Sequence, residues 1–237
     1  FYAHASVGCL HVRPILNMKE ASGAQKMRAI VEETLEIVRQ YKGSHSGEHG
    51  DGIARSEFHL PMFGQRMVNS FEEVKDSFDP AGTFNPGKIV RPEKMDDRNL
   101  FRFSPSYAIE PIATTMDWSD FGSFNQALEM CNNNGACRKS DVAVMCPSYR
   151  VSGDEQHLTR GRANTLRLAV SGQLGPEALF SGAMFDTMSL CVSCKGCKRE
   201  CPTGIDMAKM KIEFLHQYYK KNSVPLKDRL IAYLPRY

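Results

Sequence analysis

The sequence predicts an α+β domain followed by a mainly α-helical one. Three observations carry that expectation. The 237 residues exceed the usual single-domain size. The first ninety or so residues mix a strand-like stretch, two helical-period apolar stripes and glycine-rich loops. The rest reads as helices separated by short loops that carry cysteines. The expected boundaries are 1–92 for the first domain, 93–115 for a linker and 116–237 for the second.

Taken in order, Val12, Ile15 and Leu16 mark the strand-like stretch, bounded by Gly8 and the Ser22-Gly23 turn signal. Met27, Ile30, Val31, Thr34, Val38 and Tyr41 fall on one helical face, and Lys42-Gly43 supplies the stop. Residues 43–52 hold glycines and histidines without periodicity and read as a loop. Met67, Phe71, Val74 and Phe78 mark a second amphipathic helix, ended by Asp79-Pro80. Both stripes are expected to pack into a core. After Asn85-Pro86-Gly87 the chain turns polar, with Pro92, Pro105 and Pro111 as punctuation. Helices are then expected at 121–130, 157–170, 176–190 and 205–221.

Composition excludes several classes. Hydrophobic residues make up 42% and charged residues 24%, ordinary for a globular protein. A net charge of +3 gives no electrostatic case for nucleic acid. No apolar run approaches the ~20 residues that span a bilayer. The opening Phe1-Tyr2-Ala3-His4 lacks an initiator Met and a signal-peptide layout, so a longer polypeptide is expected.

Seven of the eight cysteines lie between Cys131 and Cys201. Such clustering points to metal binding in a reducing compartment, expected to be the cytoplasm, rather than to a disulfide framework. Cys191-x-x-Cys194-x-x-Cys197-x-x-x-Cys201-Pro202 is the spacing of ferredoxin-type clusters, whose fourth Cys ligates the neighbouring cluster. A structural zinc site prefers two separated pairs and fits this spacing poorly. Upstream, Cys131 and Cys137 are followed by Cys146-Pro147, with Asn134 where a further cysteine would stand. Crossed ligation then gives one complete set, Cys146, Cys191, Cys194 and Cys197, for a 4Fe-4S cluster. Cys131, Cys137 and Cys201 form a three-thiolate set. That second centre would be 3Fe-4S, 4Fe-4S with another ligand, or lost.

Phe1 to His11, His45-Ser-Gly-Glu48-His49-Gly-Asp51-Gly52, and Asp79-Pro80 through Asn85-Pro86-Gly87-Lys88 appear in that order. Together they resemble the C-terminal substrate (cap) domain of the flavin-linked D-2-hydroxyacid dehydrogenases. Met145-Cys146-Pro147-Ser148-Tyr149 and Arg160-Gly-Arg162-Ala163 resemble the ferredoxin part of long bacterial members that fuse both modules. Ala5-Ser6-Val7 stands where many members carry Gly-Asp-Gly.

The resemblance implies that His4, His11 and Glu48 hold a divalent metal, zinc or manganese, and that His49 is the base. It also implies FAD shared with an upstream domain. Arg13 and Arg55 are expected at substrate, and Asn85 and Lys88 at cofactor. The implied partners are a small 2-hydroxy acid and an electron acceptor, either a quinone or a redox protein. The implied location is the cytoplasm or the periphery of the inner membrane. Two other classes stand beside this reading: a non-catalytic iron–sulfur electron-transfer module, and an assembly subunit.

Overall fold

The computed structural model describes residues 2–47, 49–109 and 111–234, and the chain divides into two units, Phe1–Tyr107 and Ala108–Tyr237. Among the described residues, strand is confined to one antiparallel hairpin, β1 (Tyr2–His4) and β2 (Cys9–His11). Tyr2 lies opposite His11 and His4 opposite Cys9. The link is a single 3-10 turn closed by Gly8 at φ 65°, a left-handed conformation that costs glycine little.

The strand therefore ends before the predicted stretch at Val12, Ile15 and Leu16. Pro14 supplies no N–H for a ladder, and no third strand runs alongside. Val12 and Ile15 are exposed.

Helix α1 (Ala21–Gln40) begins earlier than its apolar stripe suggested. Met27 and Val31 pack against a small core of Leu35, Phe58 and Met95. Arg28 ties this core's rim together, donating to Glu32 and Asp96 at 2.8 Å and to Glu57. The stop falls where expected: Lys42 turns left-handed and the Gly43 amide bonds Val38 O.

Residues 43–47 and 49–51 are irregular, as expected of the loop. Two short helices that periodicity did not reveal follow, α2 (Gly52–Arg55) and α3 (His59–Phe63), then α4 (Gln65–Phe78). The second stripe departs from expectation. Met67, Val74 and Phe78 are exposed, because no described element covers that face. Only Phe71 engages, against Phe63 and His59.

Asp79 ends α4 and organises the turn after it. Its carboxylate accepts from Lys75 Nζ at 2.6 Å and from the Thr83 and Phe84 amides at 2.9 Å each.

The second unit is helical throughout: α5 (Phe124–Glu129), α6 (Pro147–Ser152), α7 (Thr159–Val170), α8 (Gly182–Ser189), α9 (Gly196–Glu200), α10 (Met207–Lys221) and α11 (Leu226–Tyr233). The four predicted helices correspond to α5, α7, α8 and α10. Caps explain several of the starts. Ser123, Ser181 and Asp206 each accept the amide three residues on. The core holds Leu128, Met145, Leu158, Leu166, Met188 and Phe214, none more than 1% exposed. Among the described residues no helix is long and apolar enough to cross a membrane.

One carboxylate is buried with this core. Glu213, 0% exposed, accepts from the Thr115 and Met116 amides and from Trp118 Nε1 and Gln217 Nε2, all within 3.3 Å. Burial pushes its pKa up, but these donors outweigh that and hold it below the ordinary value. It anchors the entry segment of the unit to α10.

Replacing Glu213 with Ala leaves those amides buried without an acceptor. Thermal or denaturant melting should register a loss of about 2–4 kcal/mol. A second expectation concerns acid. The Lys75 ammonium and the turn amides lower the Asp79 pKa to about 2. The native state is thus favoured above the unfolded value of about 3.9, and that contribution is lost as pH falls through about 2. Acid titration of Asp79→Asn should lack this part of the transition.

Candidate functional site

None of the eight cysteines is in a disulfide. Cys146, Cys191, Cys194 and Cys197 line one cavity, together with Thr159, Arg162 and Met207. Each thiol is delivered by a distinct local device. Cys146 is left-handed at φ 48° immediately before Pro147 opens α6, which turns its Sγ inward. Cys197 lies on α9, and the Met207 amide at the start of α10 donates to its Sγ at 3.3 Å. Ser193 and Lys195 are also left-handed, which winds the Cys191–Cys197 loop tightly. A cubane needs four thiolates converging from different directions, and this donor set fits that requirement.

A guanidinium closes the cavity. Arg162 is 1% exposed, donates from Nε to Thr187 O at 2.9 Å and from one terminal nitrogen to Ser148 Oγ at 3.0 Å, and points the other at Cys146 Sγ, 3.8 Å away. Among the described residues no carboxylate pairs with it. A buried charge needs a counter-charge, and the thiolate set is the anion within reach.

Arg162 was not singled out by cysteine spacing, but a signal existed. It interrupts the apolar stripe of Leu158, Leu166 and Ala169 on α7 at helical spacing. Gly161 beside it has a separate reason: a Cβ there would lie 2.0 Å from Glu155 O, so only glycine lets α7 rest on the preceding turn. Burial pushes the Cys197 thiol up to about 11 and raises Cys137 as well. Iron must therefore displace protons on binding.

The other thiols lie nearby within the same unit. Cys131 Sγ accepts from Asn164 Nδ2 at 3.8 Å, and α9, which precedes Cys201, packs against the 136–138 turn that carries Cys137. Asn134 is occupied in its turn, with Oδ1 accepting from the Ala136 amide and Nδ2 donating to Asn132 Oδ1. Glu200 couples the two cysteine segments by accepting from the Val144 and Met145 amides at 2.9 and 3.0 Å.

In the first unit the hairpin does what wide spacing along the chain hid. Opposite and alternate residues share a face, so Tyr2, His4, Cys9 and His11 lie together. The His4 and His11 rings are 5.0 Å apart, and His49 reaches to 6.2 Å from His11. The loop can approach because Gly47 has no side chain; a Cβ there would sit 2.9 Å from Cys9 Sγ. Imidazoles so grouped suit a divalent transition ion. Glu48 lies outside the described residues. Arg13, Asn85 and Lys88 are exposed, and Arg55 is half-buried at the end of α2, beside a largely apolar cavity bordered by Leu10, Val31 and Phe58.

Residues 1–89 match the C-terminal domain of FAD linked oxidases, and residues 127–205 match the 4Fe-4S dicluster domain. D-2-hydroxyglutarate dehydrogenase of Escherichia coli (strain K12) is 29% identical over 282 residues, which cover 100% of this chain and 26% of that protein. The Pseudomonas putida protein of the same name is 30% identical over 98% of this chain and 26% of its own length. D-lactate dehydrogenase of Anaerostipes hadrus is 30% identical over 37% of this chain and 19% of its own length. The chain thus spans about a quarter of the length of the D-2-hydroxyglutarate dehydrogenases it matches. No solved structure matches.

Arg162→Met removes the buried positive charge and three donors. Redox titration should find a lower cluster potential. A tenfold weaker reduction equilibrium corresponds to about 59 mV for a one-electron couple. Melting should show the chain destabilised by about 2–4 kcal/mol.

Proposed function

Starting from a chain that carries a FAD-linked oxidase C-terminal domain followed by a 4Fe-4S dicluster domain, we propose that it is the C-terminal part of a flavin-dependent D-2-hydroxyacid dehydrogenase. D-2-hydroxyglutarate is its substrate, and its electrons leave through iron–sulfur centres to a quinone or redox protein. The observation that carries this reading is the convergence of His4, His11 and His49 on one hairpin face, in a chain whose other unit gathers four thiols around one cavity. The choice of acid rests on coverage. The D-2-hydroxyglutarate dehydrogenases match 98–100% of this chain, while the D-lactate and glycolate enzymes match 37% of it.

In this reading His4, His11 and Glu48 hold a divalent ion against the substrate. Such an ion, when bound, polarises the hydroxyl and carboxylate as a Lewis acid. His49 takes the hydroxyl proton as general base. A flavin, held by a part of the polypeptide N-terminal to this chain, supplies the hydride acceptor. Asn85 and Lys88 contact the flavin, and Arg55 faces substrate. Arg13 binds a carboxylate, which in a diacid substrate gives it a partner beyond the reacting centre.

Cys146, Cys191, Cys194 and Cys197 hold one 4Fe-4S cluster. Cys131, Cys137 and Cys201 hold a second centre, completed by a non-cysteine ligand or built as 3Fe-4S.

The test is an anaerobic absorption spectrum of the intact protein before and after D-2-hydroxyglutarate, then D-lactate. Flavin bleaching followed by cluster bleaching with the diacid is expected; no bleaching with any D-2-hydroxy acid overturns the reading. His49→Gln should slow flavin reduction by about 10²–10⁴-fold with the iron content unchanged, measured by stopped flow.

A further inference from the structure

Apart from the thiol sets and the hairpin face, one more group of ligand-type side chains converges among the described residues. His45, Asp51 and His59 bring one donor atom each within 4.8 Å of one another. Their protonation does not balance as the side chains stand. His59 is 3% exposed, and its Nδ1 lies 3.1 Å from the Ile89 carbonyl oxygen. A carbonyl only accepts, so Nδ1 carries the proton and Nε2 of the neutral ring is a lone pair. Yet Nε2 faces Asp51 Oδ2, a second acceptor, at 2.9 Å.

Asp51 Oδ1, on the other side of that carboxylate, is buried without a hydrogen bond, 3.5 Å from His45 Nε2. The His45 side chain is only 8% exposed, and neither of its ring nitrogens makes a hydrogen bond. An extra proton on His59 would settle only the 2.9 Å contact. It would leave His45 and Asp51 Oδ1 facing each other beyond ordinary hydrogen-bond distance.

We propose that His45, Asp51 and His59 form a divalent-metal site of zinc type, separate from the His4–His11 face. A cation between them satisfies all three groups at once. Zinc bonds of about 2.0–2.2 Å place two tetrahedral donors about 3.4 Å apart, and the separations of 2.9 and 3.5 Å lie on either side of that figure. The third pair lies within 4.8 Å, and water takes the fourth position. The surroundings suit such a site. The His59 bond to Ile89 O is the outer hydrogen bond that metal-ligating histidines commonly make, and it selects Nε2 as the ligand atom. Phe63 packs against both rings and Phe71 against His59, which shields the site from solvent.

His45 and Asp51 flank the segment that carries His49, and His59 belongs to α3. A cation here fastens both ends of that loop to the helix, so zinc would govern whether the loop is held.

The experiment uses the intact protein, anaerobic and with its clusters loaded so that no thiol is free to take zinc. After chelator dialysis it is titrated with Zn²⁺, and bound zinc and iron are counted by mass spectrometry. His45→Gln and His59→Gln should each bind one equivalent less than the parent at unchanged iron. A His4→Gln, His11→Gln double variant should keep that equivalent. Zinc should also slow tryptic cleavage at Lys42 in the parent and not in His59→Gln. The proposal is overturned if His45→Gln and His59→Gln both bind as much zinc as the parent, which would leave an imidazolium–carboxylate pair. It is equally overturned if the equivalent vanishes with His4 and His11 alone. The outcome does not depend on which hydroxy acid is oxidised, so its failure and that of the dehydrogenase reading are told apart.

Discussion

A buried positive charge set against converging sulfurs is the constraint on which the helical unit depends. Four thiols on one cavity are unfavourable neighbours once ionised, because each thiolate repels the others in a poorly solvated space. Arg162 answers that repulsion from one side and the Met207 amide from another. Much of the surrounding architecture serves to hold these donors in place. Helix α7 carries the guanidinium, Thr187 on α8 accepts from it, and Ser148 on α6 fixes one of its terminal nitrogens. The apolar core packs around this polar centre.

The two units differ in how much of them could be read from sequence. In the helical unit the cysteine spacing singles out the four thiols that line one cavity, and four of its helices are legible in the sequence. What spacing could not reveal was the electrostatic complement, since a charged residue inside an apolar stripe looks like an error in the pattern until its burial is known. In the first unit the long helix α1 was legible and the short ones were not. Helices α2 and α3 span only one turn or so each, too few residues for a period to register. The strand was expected several residues too late, because β-rich composition at Val12, Ile15 and Leu16 was read without weighing the missing N–H of Pro14.

The histidines teach a related lesson. His4 and His11 are seven positions apart, an odd spacing that would put them on opposite faces of a single strand. A hairpin with a tight turn converts that separation into adjacency, because residues diagonal across the ladder share a face. Their grouping is thus a property of the turn at 5–8 rather than of the two positions themselves. His45, Asp51 and His59 were equally invisible as a group, since loop and helix come together there only through packing on Phe63 and Phe71.

The separation of Cys146 from Cys191–Cys197 along the chain has a mechanical consequence. In the proposed ligand set these residues would be tied through a single inorganic core, with α6, α7 and α8 inside the closed loop. The cofactor then acts as a cross-link, restricting the unfolded chain much as a long-range disulfide does. In that arrangement losing iron would open the loop and free three helices together, so the fold of the unit would depend on iron as well as its electron transfer.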